Sequence, residues 1–173
     1  MLEVAVTAAD HAIGPDTARV TVVEYGDFEC AYCQIAYGAM KILMEHYGPQ
    51  VRFVYRHYPL TSWHPSAEAA AECAEAASAQ DKFWPMYRML YEHPYGLKPD
   101  ALRQYAGMIG MDLGRYDSDM ATHSFLQHVR ADQQGGTRCH VRGTPSFFVN
   151  GAVQDVTFGM ERLQMAIDTA LAH

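Results

Sequence analysis

Cysteine is scarce in this chain. Four residues among 173 are too few, and too unevenly placed, for a disulfide scaffold. Basic residues are also in the minority, 13 Lys and Arg against 20 Asp and Glu, for a formal net charge of −7. Phosphate binding needs a basic surplus, so nucleic acid is excluded as the main partner. Long apolar runs are missing, and the sequence therefore predicts no membrane-inserted segment. Leader character is scarce as well: Met1–Gly14 carries Glu3, Asp10 and His11, with neither a basic start nor an apolar core, so no signal peptide is expected in it. This predicts a cytoplasmic protein, or a periplasmic one if an export signal has been removed. Neither an internal repeat nor a low-complexity linker interrupts the chain.

What is present is ordinary globular material, 49% apolar and 19% charged, enough for one well-buried domain. Residues 1–19 read as a lead-in ending at Gly14-Pro15-Asp16. The run from Val20 to Tyr25 is β-branched and nearly all apolar, as in a strand buried on both faces. After Gly26-Asp27 the period becomes helical, with Ala36, Met40, Leu43, Met44 and Tyr47 on one face up to Gly48-Pro49. Val51, Phe53 and Tyr55 alternate with Arg52 and Arg56 as a second strand, completing a right-handed βαβ unit. A helical stretch follows. Ala70, Cys73, Ala74 and Ala77 form an apolar stripe opposite Glu68, Glu72 and Glu75. Asp81 is a candidate cap for the next helix, whose Phe83, Trp84 and Tyr87 read as core. Further helices are expected over 100–108 and 118–134, the latter ending at Gly135-Gly136. Ser146–Val149 and Ala152-Val153 flank Asn150-Gly151, a strong hairpin signal. The closing helix buries Met160, Leu163, Ile167 and Leu171. The two strand-bearing parts must share one sheet, which makes the helical block an insertion.

Two cysteines form the spacing Cys30-Ala-Tyr-Cys33, at the point where the buried strand turns into a helix. Such a pair serves either redox exchange or half of a zinc site. Zinc needs two more ligands in register, and neither a second Cys-x-x-Cys nor a suitable His pair stands near in sequence. His123 and His128 read as solvent-facing. A cysteine at a helix N-terminus meets unpaired N–H groups and the positive end of the dipole, which favour a thiolate. Cys33, one turn inside, is placed to close a disulfide. Glu24 lies in an otherwise apolar strand, where burial would raise its pKa and let it shuttle a proton. Tyr32 is expected to be exposed and to contact substrate. Cys73 reads as a buried, inert thiol and Cys139 as a bystander, the alternative being a place near the active site from which it would resolve mixed disulfides or pair with another chain. His57 and His64 read as structural.

The segment from Val20 to Cys33 resembles the active-site region of DsbA-like proteins of the thioredoxin superfamily. Arg56-His-Tyr-Pro-Leu60, the Ala-rich helix running into Asp81-Lys-Phe-Trp84, and Gly143-Thr-Pro-Ser-Phe-Phe-Val-Asn-Gly151 match the same family in the same order. The resemblance implies an α/β thioredoxin-like fold with an all-helical insertion. Residues 1–60 and 139–173 would form the discontinuous thioredoxin-like domain, and 61–138 the insertion. It places Pro145 as a cis-proline facing the cysteine pair, with Thr144 offering backbone groups to an extended substrate. It puts a buried acid, Glu24, beside the resolving thiol. The Ala-Tyr dipeptide departs from the Pro- or His-containing pairs of the best-known members.

The activity implied is thiol–disulfide exchange with protein substrates and a redox partner, without an organic cofactor or metal. A glutathione-dependent isomerase or transferase on the same fold is one alternative, although such proteins usually carry a single catalytic Ser or Cys. A redox-sensing, regulatory thioredoxin-like module is the other.

Overall fold

The computed structural model describes residues 1–157 and 159–173. In chain order the elements are β1 (His11–Ile13), β2 (Val20–Gly26), α1 (Ala31–Tyr47) and β3 (Val51–His57). Five helices come next: α2 (Ala67–Ser78), α3 (Phe83–Glu92), α4 (Pro99–Met108), α5 (Leu113–Ala121) and α6 (Leu126–Arg138). The chain then returns to the sheet with β4 (Ser146–Val149) and β5 (Ala152–Gln154), and closes with α7 (Glu161–Ala172). The strands form one sheet in the order β1-β3-β2-β4-β5. β2 and β3 are parallel, joined through α1, and every other pairing is antiparallel. This is a thioredoxin-like sheet carrying a helical insertion between β3 and β4.

Side chains alternate across the sheet, and the alternation sorts the core into two layers. Val20, Val22, Phe53, Tyr55 and Phe147 pack with α1, α2 and α3. Val23, Tyr25, Val54 and Phe148 face the other way, onto Tyr58, Cys139 and Val141. Glu24 shares its parity with Val22, so it points into the larger layer, toward α1. Asn150-Gly151 turns β4 into β5 with both φ angles positive, 45° and 84°, as the expected two-residue hairpin turn requires.

The smaller layer is covered by the N-terminal segment, where Leu2, Val4 and Val6 pack against it. Arg56 holds that segment down. Its guanidinium donates to Asp10 at 2.6 and 3.1 Å, to the carbonyls of Val4 and Ala5 at 3.0 and 2.9 Å, and to Tyr25 Oη at 3.0 Å. Removing one partner of a buried ion pair leaves the other uncompensated, at a cost of about 3–5 kcal/mol. Arg56→Met should therefore lower Tm by roughly 10 °C and expose the first ten residues to protease. An unchanged Tm would mean that the strap is held by its apolar side chains alone.

Five expectations need correction. The lead-in contains a strand, β1, which pairs with β3. The helix expected over 118–134 is two helices, broken at 122–125, where His123 takes a φ of 51°. Gly135-Gly136 do not end α6 but lie inside it. A Cβ at Gly136 would sit 2.6 Å from the Tyr58 ring and 2.9 Å from that of Tyr25, so glycine here admits two aromatic rings. Finally, Glu72 and Glu75 are buried instead of facing solvent, and Asp81 is no cap. It takes a φ of 58°, and Lys82 occupies the cap position without a capping side-chain bond.

Candidate active site

Strand β2 ends at Gly26, where a Cβ would lie 2.5 Å from the Tyr55 ring. The chain then turns through Asp27–Glu29 into α1. Asp27, not among the residues expected at the site, organises this turn. One carboxylate oxygen accepts from the Glu29 N–H at 2.8 Å, and the other accepts from the Leu60 N–H and meets His64 Nδ1, both at 2.8 Å. Glu29 in turn accepts from the Ser66 N–H at 2.6 Å. The loop is thereby tied to the chain leading into α2. An acid between a buried strand and a Cys-x-x-Cys helix was the available signal. Burial works against a proton on His64, but the bond to Asp27 and the negative charges of Asp27 and Cys30 outweigh it and raise its pKa.

Cys30 is the N-cap of α1, with extended backbone angles, and Cys33 lies one turn inside. Both are free thiols. Cys30 is 6% exposed and Cys33 is fully buried. As a thiol, Cys30 donates to the Thr144 carbonyl at 3.3 Å. Its pKa is pushed down to about 5. The largest cause is a hydrogen bond from the Cys33 thiol. Burial opposes it, while the Thr144 side chain and the N–H groups of Cys33 and Tyr32 add to it. Thr144 Oγ1 is buried and has no other partner among the described residues, so its hydroxyl is available to a Cys30 thiolate. Cys33 moves the opposite way. Burial pushes its pKa well above the usual thiol range, and the charges of Cys30 and Glu24 push further. One member of the pair is thus poised as a thiolate and the other as a proton carrier.

Glu24 is completely buried, and both carboxylate oxygens lack hydrogen-bond partners among the described residues. Burial first, then the Cys30 charge, raises its pKa to about 8. Its strand neighbours Tyr55 and Phe147 are fully buried aromatic side chains. Tyr32 projects from the first turn of α1, 73% exposed. The Thr144–Pro145 peptide bond is cis. Tyr32, Ile35, Thr144, Pro145 and Gln154 line an open groove of about 650 Å³ on one side of the pair. A second hollow of about 300 Å³, bounded by Cys30, Gln34, Tyr95 and Lys98, lies on the other. The structure therefore gathers all six residues singled out in the sequence around one site. Cys73 and Cys139 stay buried elsewhere, Cys73 against Met86 at 3.6 Å and Cys139 beneath the Glu3 N–H at 3.2 Å.

Comparison with known proteins agrees with this geometry. A family model described as thioredoxin matches residues 6–169. A sodium/proton antiporter, NhaA 1 of Salinispora arenicola, is 42% identical over 163 residues, covering 94% of this chain and 25% of its own. The chain thus spans about a quarter of the length of that curated relative. Among solved structures, a thioredoxin-like oxidoreductase from Silicibacter pomeroyi is 27% identical with a TM-score of 0.84, covering 96% of this chain and 95% of that one. BdbD from Bacillus subtilis superposes with a TM-score of 0.85 at 20% identity, over 94% and 92% of the two chains. A periplasmic thioredoxin-like protein from Salmonella enterica serovar Typhimurium has a TM-score of 0.77 at 19% identity, over 95% and 91%. Its periplasmic setting does not fit the cytoplasmic expectation. Among the described residues no helix is long and apolar enough to cross a membrane. With the sheet order, the helical insertion and the family match together, the chain belongs to the thioredoxin family and has the DsbA-like form of its fold.

Proposed function

We propose that this chain is a thiol–disulfide oxidoreductase that acts on protein substrates through Cys30 and Cys33. The observation that carries the reading is the opposed acidity of the two thiols, Cys30 lowered to about 5 and Cys33 raised by burial. In the reducing direction the Cys30 thiolate attacks one sulfur of a substrate disulfide. A Cys30–substrate disulfide forms and the other substrate sulfur leaves as a thiolate. Forming that disulfide consumes the Cys30 charge, one of the two causes that raise the Glu24 pKa, and the ionised Glu24 then takes the Cys33 proton as Cys33 attacks Cys30 Sγ. This releases the second substrate thiolate and closes Cys30–Cys33, so two electrons have moved to the substrate. Run backwards, the same steps oxidise a dithiol. Tyr32 and the groove beside Pro145 would receive the substrate chain, and Thr144 would offer it backbone groups. An oxidising compartment such as the periplasm suits the oxidising direction.

Ultraviolet thiolate absorbance of the reduced protein should titrate near pH 5, well below a free thiol. Equilibration with glutathione should give one redox couple lost in Cys30→Ser. A titration near pH 9, with exchange no faster than a free thiol's, would discard the reading. The match to a quarter of an antiporter favours a second one, a redox-sensing module attached to a larger protein. Slow exchange combined with partner binding in one redox state only would select it.

A further inference from the structure

Away from the cysteine pair, three imidazoles converge on one buried carboxylate. Glu75 of α2 is buried, and its Oε1 lies 2.6 Å from His11 Nε2, 2.7 Å from His57 Nε2 and 3.8 Å from His128 Nε2. His11 comes from β1, His57 from β3 and His128 from α6, so four separate elements meet here. The ligand atoms of His11, Glu75 and His128 all lie within 4.8 Å of one another. Asp132 Oδ2 stands 4.0 Å from His128 Nε2 and brings a second carboxylate to the cluster.

The two ends of the cluster are built differently. His57 Nδ1 is buried and has no partner among the described residues. A proton there would be an unsatisfied donor, so the ring proton sits on Nε2, where it donates to Glu75. His57 thus orients the carboxylate, as an outer-layer partner of a metal ligand does. His11 is fixed by stacking on Phe83, with ring centroids 3.5 Å apart and planes 9° from parallel. His128 is the open side, with its side chain 40% exposed. It borders a cavity of about 220 Å³ that His11 and Asp132 also line. That cavity supplies both an entry path and room for a water ligand.

The geometry points to a divalent transition-metal site, best matched to Zn²⁺, ligated by His11 Nε2, His128 Nε2 and a Glu75 oxygen. The fourth position faces the cavity and is filled by water or Asp132. Bonds of about 2.0–2.1 Å in a tetrahedron set ligand atoms roughly 3.3 Å apart. The 2.6 and 3.8 Å separations from Glu75 bracket that value, and the two imidazole nitrogens lie within 4.8 Å of each other, so closing around an ion draws His11 and His128 together. Binding displaces any proton on the two ligating nitrogens to solvent. The two imidazoles select zinc, nickel or copper over calcium and magnesium, which take oxygen ligands. Such an ion would clamp β1, and the N-terminal segment before it, to α2 and α6. This is a structural role separate from thiol exchange.

The test is calorimetric titration of ZnCl₂ into the full chain with Cys30 and Cys33 oxidised to their disulfide, so that those thiolates cannot compete. One Zn²⁺ should bind per chain and raise Tm. His128→Ala, on the exposed side of the cluster, should keep the fold by circular dichroism and lose at least about tenfold in affinity. His11→Ala should do the same. The inference is overturned by the absence of saturable binding, by unchanged affinity in both variants, or by Ca²⁺ binding as tightly as Zn²⁺.

Discussion

Cys30→Ser should reduce disulfide exchange to background, whereas Cys33→Ser should accumulate a covalent complex with substrate. With a pKa of about 5, Cys30 at pH 7 is thiolate over thiol by about 100 to 1. Cys33 lies on the far side of neutrality and stays protonated. Serine in place of Cys30 is a good helix cap, so lost activity would not reflect lost structure. In Cys33→Ser the attacking thiolate remains and the resolving one is gone. Mass spectrometry should then find chains joined to substrate through Cys30. Full turnover by either variant would transfer the chemistry to Cys73 or Cys139, both of which are buried.

Glu24→Leu should stabilise the reduced protein at neutral pH while slowing its chemistry. The carboxyl pKa is about 8 in the fold against an ordinary 4.5. A raised folded pKa means that stability is fully present below pH 4.5 and is lost as pH climbs toward 8. At pH 7 that loss is on the order of 3 kcal/mol. The variant should therefore unfold at higher denaturant than the parent at pH 7, with the advantage shrinking to nothing as the pH approaches 4. Over the same range the step that resolves mixed disulfides should slow about a hundredfold, the usual scale for a lost proton-transfer group. A stability difference that is flat with pH would show that Glu24 is ionised and paired in solution. An unchanged resolving rate would remove it from the mechanism.

The parts of this fold that could be read in the sequence are those whose residue pattern runs the length of an element. β2 is an unbroken β-branched apolar run, α1 and α7 carry helical spacing, β3 alternates Val51, Phe53 and Tyr55 with Arg52 and Arg56, and Asn150-Gly151 names the turn between β4 and β5. The six residues around the cysteine pair were legible for a related reason. They lie on or beside those elements, and the motif fixes their spacing. What escaped depends on distant partners. His11–Ile13 is too short to show alternation and is a strand because β3 has a free edge there. Glu72 and Glu75 look like a solvent face because their compensating partners, His123 for one and His11 and His57 for the other, arrive from other elements. The break between α5 and α6 has neither Gly nor Pro to announce it. Gly135-Gly136 looks like a stop because local propensity cannot see Tyr25 and Tyr58 pressing on the helix. Asp27 was passed over because its carboxylate serves residues more than thirty positions away.

The two outermost strands of the sheet, β1 and β5, are three residues long each. A margin that short offers an incoming chain few unpaired N–H and C=O groups, so it makes a poor template for open-ended stacking. For a protein proposed to handle partly folded polypeptides, this separates two kinds of stickiness. An unfolded client would be gripped at the proposed groove beside Thr144 and Pro145 without being recruited as an extra strand at the sheet's margin. On that proposal, short margins would let the molecule work among aggregation-prone chains without templating their stacking.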